Sequence, residues 1–523
     1  MPDAFHDSAA RYPPPKCHPG TRKIYIDQIM DWALGKSEHK EPVLWIRGPF
    51  GVGKSAVAQS VAEALKPMNQ LAATLFFALS NTDRDNPQRV FTSIIYQITT
   101  LCESFAHVID ARIRKDLSIT TKSISTQFEE LLVAPLKQID TMKNGLEGRV
   151  VIIDGLDECR GTAVQCEIIR IITTSAQNRT TPFRWLITSR PEDAILRTMQ
   201  SSALSSIHFA IELSVSRDID HEILMFLIDE FTKVRESHGL PGPWPSDEAL
   251  SLLVERGAGL WIYISAIVRF INDENSFGPE DQLRIVLGLT ADMSNEVQPI
   301  NPLAEMDCFY ILTMKRIPPI FQTVARRMIL LHSLDYLDLN GIALCLGLSL
   351  EQLRRCCTSI QSVAELRSLG LDSSELHFYH TSFIDFLYDP TRSRGFSVYG
   401  EFLIQYRREL LEWLHTVCSR TLNPSQFTFP ASPVLPKFVD RGERYRCVLG
   451  TFWELCLVPN HPIDPQTATS ISNLPFRKML GLIPKTVLKW YIECDKLKHL
   501  DKNVGFCSLL NVLGAQRSDG VPT

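Results

Sequence analysis

A chain of 523 residues is too long for a single core and is expected to divide into roughly three or four domains. Its hydrophobic content of 45% and charged content of 22% are those of an ordinary globular protein, and a formal net charge of −5 gives no footprint for a polyanion, which argues against a dedicated nucleic-acid binder. Thirteen cysteines, an odd number with no C-x-x-C pair and only Cys356 and Cys357 adjacent, argue against a disulfide framework or a zinc site and for reduced, mostly buried thiols.

The opening residues lack the apolar core of a signal sequence, and the longest apolar run, residues 259–268, is too short to span a bilayer before it meets Arg269. A cytoplasmic protein with no membrane contact is expected. Residues 1–22 read as a flexible lead stiffened by Tyr12-Pro13-Pro14-Pro15; composition leaves open an ordered segment packed on the domain behind it. A helix is expected from Ile24 and Tyr25 through Ile26, Ile29, Met30 and Trp32. Pro42-Val43-Leu44-Trp45-Ile46 then suits a buried strand. It leads into Gly48-Pro49-Phe50-Gly51-Val52-Gly53-Lys54-Ser55, which has the spacing G-x-x-x-x-G-K-[ST] of a phosphate-cradling loop. Glycines 48, 51 and 53 free the backbone so that successive N–H groups can converge on a phosphate. Lys54 adds a charge that reaches the β- and γ-phosphates of ATP, or the β-phosphate of ADP, and the Ser55 hydroxyl can ligate Mg²⁺. Val57, Val61 and Leu65, with Ala58 and Ala62 beside them, form a helix face after the loop. The first turn of that helix, Ala56 included, points its N-terminus at the phosphates.

Residues 71–79 form a second strand candidate, residues 87–101 a helix (Val90, Phe91, Ile94, Ile95, Ile98), and Phe128, Leu131, Leu132 and Leu136 a further helix face. The run Val150-Val151-Ile152-Ile153 is a buried parallel strand that ends in Asp154-Gly155-Leu156-Asp157-Glu158. Carboxylates at the C-terminal end of such a strand face the crevice where an α/β sheet binds its ligand. Asp154 suits the Mg²⁺-holding position, and Asp157 or Glu158 could polarise the attacking water. Read alone, the stretch is equally a solvated acidic turn. Residues 183–188 make another strand, and Arg190 at its tip could sense the γ-phosphate, although an arginine closing a strand is more often a surface residue. Residues 207–213 supply a last strand, after which Asp218 is expected to cap a helix bearing Ile219, Ile223 and Leu227. The guanine-reading motif N-K-x-D does not occur, which favours adenine.

Past a Gly/Pro-rich linker at 238–245, Leu250, Leu253, Leu260, Ile264, Ile267, Val268 and Ile271 mark a helical region. Residues 324–331, 342–346 and 351–360 read as helices and 376–379 as a strand that runs into His380-Thr381-Ser382-Phe383. A helix is expected beyond residue 397 (Phe402, Tyr406, Leu410, Leu414, Val417), then an irregular stretch at 423–437 and helices near 447–457 and 484–497.

Together, Gly48 to Ser55, the run Asp154-Gly155-Leu156-Asp157-Glu158 and Thr188-Ser189-Arg190-Pro191 resemble a NACHT-domain ATPase of the STAND signalling group, relatives of AAA+ proteins. Cys17-His18-Pro19-Gly20-Thr21-Arg22 and Gly259-Leu260-Trp261-Ile262-Tyr263 are similar to the fungal, NLR-like branch. The resemblance implies an α/β P-loop NTPase domain (23–235) with the strand ending at Thr188 inserted between those of the loop and of Asp154. It further implies a helical domain (246–320), a winged-helix domain (321–396) and a mostly α-helical C-terminal region (397–523). A winged helix could instead read DNA, but only Arg354 and Arg355 are basic on the candidate recognition helix, a thin electrostatic footing. The resemblance also places His380 on the bound diphosphate. It implies an ATP/ADP-dependent switch of the innate-immune signalling type, closed with ADP and assembly-competent with ATP, with slow hydrolysis and self-association on activation. The rivals are a P-loop kinase or other ATP-using enzyme with a small-molecule acceptor, and a nucleotide-stabilised scaffold.

Overall fold

The computed structural model describes residues 1–78, 81, 84–201, 206–274, 276–288, 302–334, 337–358, 360, 362–368, 374–379, 381–420, 441–456, 458 and 461–473. The chain forms two units, one of Met1–Met306 and one of Asp307–Tyr379 continuing from Phe383.

The first unit is built on five parallel strands: β1 (Val43–Arg47), β2 (Leu71–Phe76), β3 (Val150–Asp154), β4 (Arg184–Ser189) and β5 (His208–Glu212). Their order is β2-β3-β4-β1-β5. β4 therefore lies between the loop strand and the Asp154 strand, as the family resemblance implies, with Trp45 and Ile153 both in register with Ile187. β3 is buried along its whole length, which is why its sequence is an unbroken apolar run. Each of its four aliphatic side chains contributes roughly 1.5–3 kcal/mol by leaving water. That outweighs a backbone ordering cost of about 1–2 kcal/mol per residue. The edge strand β5 instead alternates, with Phe209 and Ile211 buried and Ala210 and Glu212 exposed.

Successive side chains serve opposite faces of the sheet. Val43, Trp45, Val151, Ile153, Trp185 and Ile187 point to one face, which is covered by the helices Val90–Leu101 and Thr162–Asn178, among others. Leu44, Ile46, Val150, Ile152 and Leu186 point to the other, covered by the helices Lys23–Ala33 and Lys54–Leu65. At the outer edge, β2 has a substitute for a neighbouring strand. The Gln97 amide accepts from the Thr74 backbone N–H (3.0 Å) and donates to the Thr74 carbonyl (2.9 Å).

Several expectations need correction. Residues 1–22 are not a flexible lead. Two 3₁₀ turns, Pro2–Ala4 and Ala9–Arg11, lie on the sheet, with Met1 and Ala4 in its core. The His6 backbone N–H donates to Thr74 Oγ1 (2.9 Å), and Lys66 pairs with Asp7 (2.5 Å). The helix after β5, Asp220–His238, is preceded by a 3₁₀ turn capped by Ser216, not by Asp218; the Ser216 hydroxyl accepts from the Asp218 N–H (3.1 Å). That helix runs to His238, so the linker begins at Gly239. β2 stops at Phe76, and the helices Glu103–Lys115 and Asp193–Met199 were not anticipated. Beyond the linker come Asp247–Gly257, Trp261–Ile271 and Pro279–Gly288.

The second unit contains the helices Pro319–His332, Leu339–Leu346 and Leu350–Thr358, followed by an antiparallel hairpin of β6 (Ala364–Ser368) and β7 (Ser374–Phe378). Further helices are Glu401–Arg420, Arg441–Cys456 and Pro465–Ser472. His380 and the stretches 423–437 and 484–497 lie outside the described residues. Among the described residues, no helix is long and apolar enough to cross a membrane.

One side chain ties these last helices together. Arg407 is fully buried and donates to the carbonyls of Leu455 (2.9 Å from Nε), His461 (2.8 Å) and Pro462 (3.1 Å). Arg407→Met should leave those carbonyls without their donor at about 1–3 kcal/mol each. Amide exchange in Glu401–Arg420 and Arg441–Cys456 should then quicken by on the order of a hundredfold, with β1 and β3 unchanged. Mass-resolved hydrogen exchange checks this.

Candidate functional site

All five strands being parallel, their carboxyl ends meet at one edge, where β1 delivers Gly48 and β3 delivers Asp154. The loop turns through Gly51 (φ 75°) and Gly53 (φ 97°), left-handed conformations that favour glycine. Gly53 opens the helix Lys54–Leu65, whose first turn holds Ser55 and Ala56. Lys54 lies back along the loop, donating to the carbonyls of Gly48 and Pro49 (2.8 Å each). Burial draws its pKa down, Asp157 and Asp154 push it up, and Arg190 opposes them.

Asp154 is buried at the end of β3. Its Oδ1 accepts from Thr188 Oγ1 on β4 (2.6 Å), and the same hydroxyl accepts from the Gly155 backbone N–H (2.9 Å). The Ser55 hydroxyl and the Arg11 and Lys54 charges also favour the Asp154 carboxylate. Burial nonetheless dominates and holds the Asp154 pKa above its ordinary value. A serine hydroxyl beside a buried carboxylate is an all-oxygen pair of the kind Mg²⁺ accepts, the ion taking its remaining ligands from phosphate and water. Among the described residues, no three His, Cys, Asp or Glu side chains cluster as a self-sufficient metal site.

Asp157 and Arg190, separate candidates in the sequence, are partners. Asp157 Oδ1 accepts from the Arg190 backbone N–H (2.9 Å), and its Oδ2 lies 3.1 Å from Arg190 Nε. The Arg190 guanidinium also stands 5.9 Å from the centre of the Phe50 ring on the loop. Glu158 follows on the same 3₁₀ turn, Leu156–Glu158, and is partly exposed. Gly48, Gly51, Gly53, Lys54, Ser55, Ala56, Asp154, Asp157, Glu158 and Arg190 thus share one edge of one unit. Five of these ten residues, Lys54, Asp154, Asp157, Glu158 and Arg190, are charged.

Two contributors were not anticipated. Arg22, buried and in a left-handed conformation (φ 55°), donates from Nη2 to the Val52 carbonyl (2.8 Å) in the middle of the loop. Its backbone N–H is held by Glu222 (3.0 Å). From the other side, the Ile262 backbone N–H donates to the Gly51 carbonyl (3.1 Å). A side chain at Gly51 would lie 2.3 Å from Ile262 Cγ2, so the glycine is required by this contact as well as by its φ. Gly259 makes a similar approach: a Cβ there would lie 2.3 Å from the Ser216 carbonyl oxygen. The only sequence signal for either was the short glycine-bearing motif around each.

The first unit has the fold of a P-loop NTPase. Residues 22–190, about a third of the chain, match the family described as Nephrocystin 3, N-terminal. The match begins at Arg22, which donates to the loop, and ends at Arg190, which pairs with the acidic turn. No curated protein sequence matches the chain. Among solved structures, the chain is similar to PCH-2 of C. elegans (12% identity, TM-score 0.30, covering 52% of this chain and 68% of that one). It is also similar to AMPPCP-bound DnaA from Aquifex aeolicus (12%, 0.30, 66% and 86%) and to a mutant RuvB of Thermotoga maritima (13%, 0.29, 69% and 94%). These similarities are too distant to carry a function.

The raised Asp154 pKa has a thermodynamic consequence. The folded state keeps a proton that the unfolded chain releases above the ordinary value of 3.8, so stability falls as pH rises through the window between the two. Asp154→Asn, which keeps an oxygen for Thr188, should therefore raise Tm at neutral pH, by roughly 2–4 °C per kcal/mol recovered. The gain should vanish below pH 3.8. Calorimetry of parent and variant across that range tests it.

Proposed function

We propose that this chain is an ATP/ADP-dependent signalling switch of the NACHT/STAND type, closed with ADP and open to self-association with ATP. The observation that carries the reading is the Gly51–Ile262 contact, because it seats the start of the helix Trp261–Ile271 directly on the phosphate loop. A change in the loop therefore acts on the segment that follows the nucleotide domain. Lys54 would exchange the Gly48 and Pro49 carbonyls for phosphate oxygens, loosening the loop that Ile262 and Arg22 grip. Ser55 and Asp154 would hold Mg²⁺, which supplies charge neutralisation for the phosphates. Asp157 has the task of aiming Arg190 toward the γ-phosphate, and Glu158, half-buried on the same turn, the water-orienting role. The helices Pro319–His332, Leu339–Leu346 and Leu350–Thr358 with the β6–β7 hairpin serve as the winged helix in this scheme.

A switch predicts tightly retained nucleotide and slow turnover. Native mass spectrometry of the purified chain should find ADP. Lys54→Ala should lose it. Glu158→Gln should keep nucleotide affinity while slowing single-turnover hydrolysis by roughly a hundredfold or more. Light scattering should rise with ATP and not with ADP. Equal scattering in both nucleotides, with parent-like ADP retention in Lys54→Ala, would overturn the proposal.

A further inference from the structure

The N-terminal segment places a guanidinium behind the site. Arg11 is buried, 4% exposed, although it follows a loop-like stretch 43 residues before Lys54 in sequence. Its Nη1 donates to Gln59 Oε1 (2.8 Å) and to the Phe5 carbonyl (3.3 Å), and its guanidinium carbon lies 3.6 Å from the centre of the Phe76 ring. Both anchors are adjacent to the residues that meet at the site. Gln59 is four residues after Ser55, on the same face of the helix Lys54–Leu65. Phe76 is the β2 residue in register with Asp154. Gln59 is in turn fixed by its amide donating to the His6 carbonyl (3.0 Å), and Phe76 by its carbonyl accepting from Arg84 (3.2 and 3.1 Å). The segment thus encircles the site: it holds the helix through Arg11 and His6, the helix carries Ser55 up to Asp154, and Phe76, in register with Asp154, packs back on Arg11.

We propose that Arg11 is a positioning residue of the nucleotide site, holding the loop helix against β2 so that the Ser55 hydroxyl and the Asp154 carboxylate meet. The inference rests on the nucleotide-binding reading given above. It makes residues 1–22 a working part of the NTPase domain. Mg²⁺ is the group expected to bridge Ser55 and Asp154, so the effect of Arg11 falls on the Mg²⁺-dependent part of nucleotide affinity. Removing an outer partner of metal ligands typically costs ten- to a hundredfold in metal affinity.

The test compares the parent, Arg11→Met and Arg11→Lys, measuring the affinity of fluorescent ADP in Mg²⁺ and in EDTA. Arg11→Met should lower the ratio of the two affinities by roughly tenfold or more, with EDTA affinity nearly unchanged. Arg11→Lys should fail to restore it, because an ammonium keeps the charge but not the planar fork that spans Gln59 and Phe76. Restoration by lysine would mean that charge alone matters, and an equal loss in Mg²⁺ and EDTA would mean that Arg11 only supports the fold; either overturns positioning. A second readout needs no nucleotide. In Arg11→Met, amide exchange should quicken in the segments 54–59 and 71–77 ahead of the rest of the sheet, and unchanged exchange there overturns the proposal. A parent that binds no ADP in either condition would instead sink the nucleotide reading, with the exchange experiment still deciding whether Arg11 holds the helix to β2.

Discussion

Burying the Asp154 carboxylate between two parallel strands carries a desolvation cost of several kcal/mol, and much of the first unit is disposed to offset it. A hydrogen bond to a charged group returns about 1.5–3 kcal/mol, so several partners offset the cost only in part and the carboxyl keeps a raised pKa. Thr188 supplies one from β4, and Ser55, Arg11 and Lys54 favour the charge from nearby. Thr188 does this only because β4 is the immediate neighbour of β3, and β1 must then flank β4 to bring the loop within reach. The strand order is thus tied to the solvation of one carboxylate. Thr188 also accepts from Gly155, which fixes the turn carrying Asp157 and Glu158.

The parts of this arrangement with short-range signatures were legible in the sequence. The loop, its flanking strand and helix, β3 with its acidic turn, and β4 each announce themselves within about ten residues through glycine spacing or apolar runs. Strand order came only from family resemblance, since periodicity says which face a strand buries and not which strand lies beside it. The partnership of Asp157 with Arg190 was invisible for a related reason: 33 residues separate them, and either alone reads as a solvated charge. The N-terminal segment failed most plainly. Its proline run and polar residues resemble a linker, yet besides the buried Met1 and Ala4 it is anchored by polar contact with Gln59 and Thr74, which no local pattern of hydrophobicity records.

Glycine carried two meanings where the sequence suggested one. Gly51 suits a phosphate loop by its backbone, but it also leaves the space into which Ile262 packs. Gly48 has an ordinary φ; what requires it is the Leu213 carbonyl oxygen, 2.1 Å from where a Cβ would sit. The loop is therefore shaped as much by the chain returning past it after β5 as by any ligand. A motif scan weighs these glycines only for phosphate, and so underestimates how firmly the following helices are committed to the loop.

The Gln97 amide on Thr74 has a consequence for how copies of this chain could join. A parallel sheet normally offers its outermost strand as a template on which another strand can grow, by pairing free N–H and C=O groups. At the midpoint of β2 both of those groups are already taken by a side chain that imitates the missing strand. An incoming segment would have to displace an amide making two good hydrogen bonds and would gain only their equivalents. Continuation of the sheet from one molecule into the next is thereby discouraged along this border, and a contact made here must be built from side-chain surfaces, where partners can be released again.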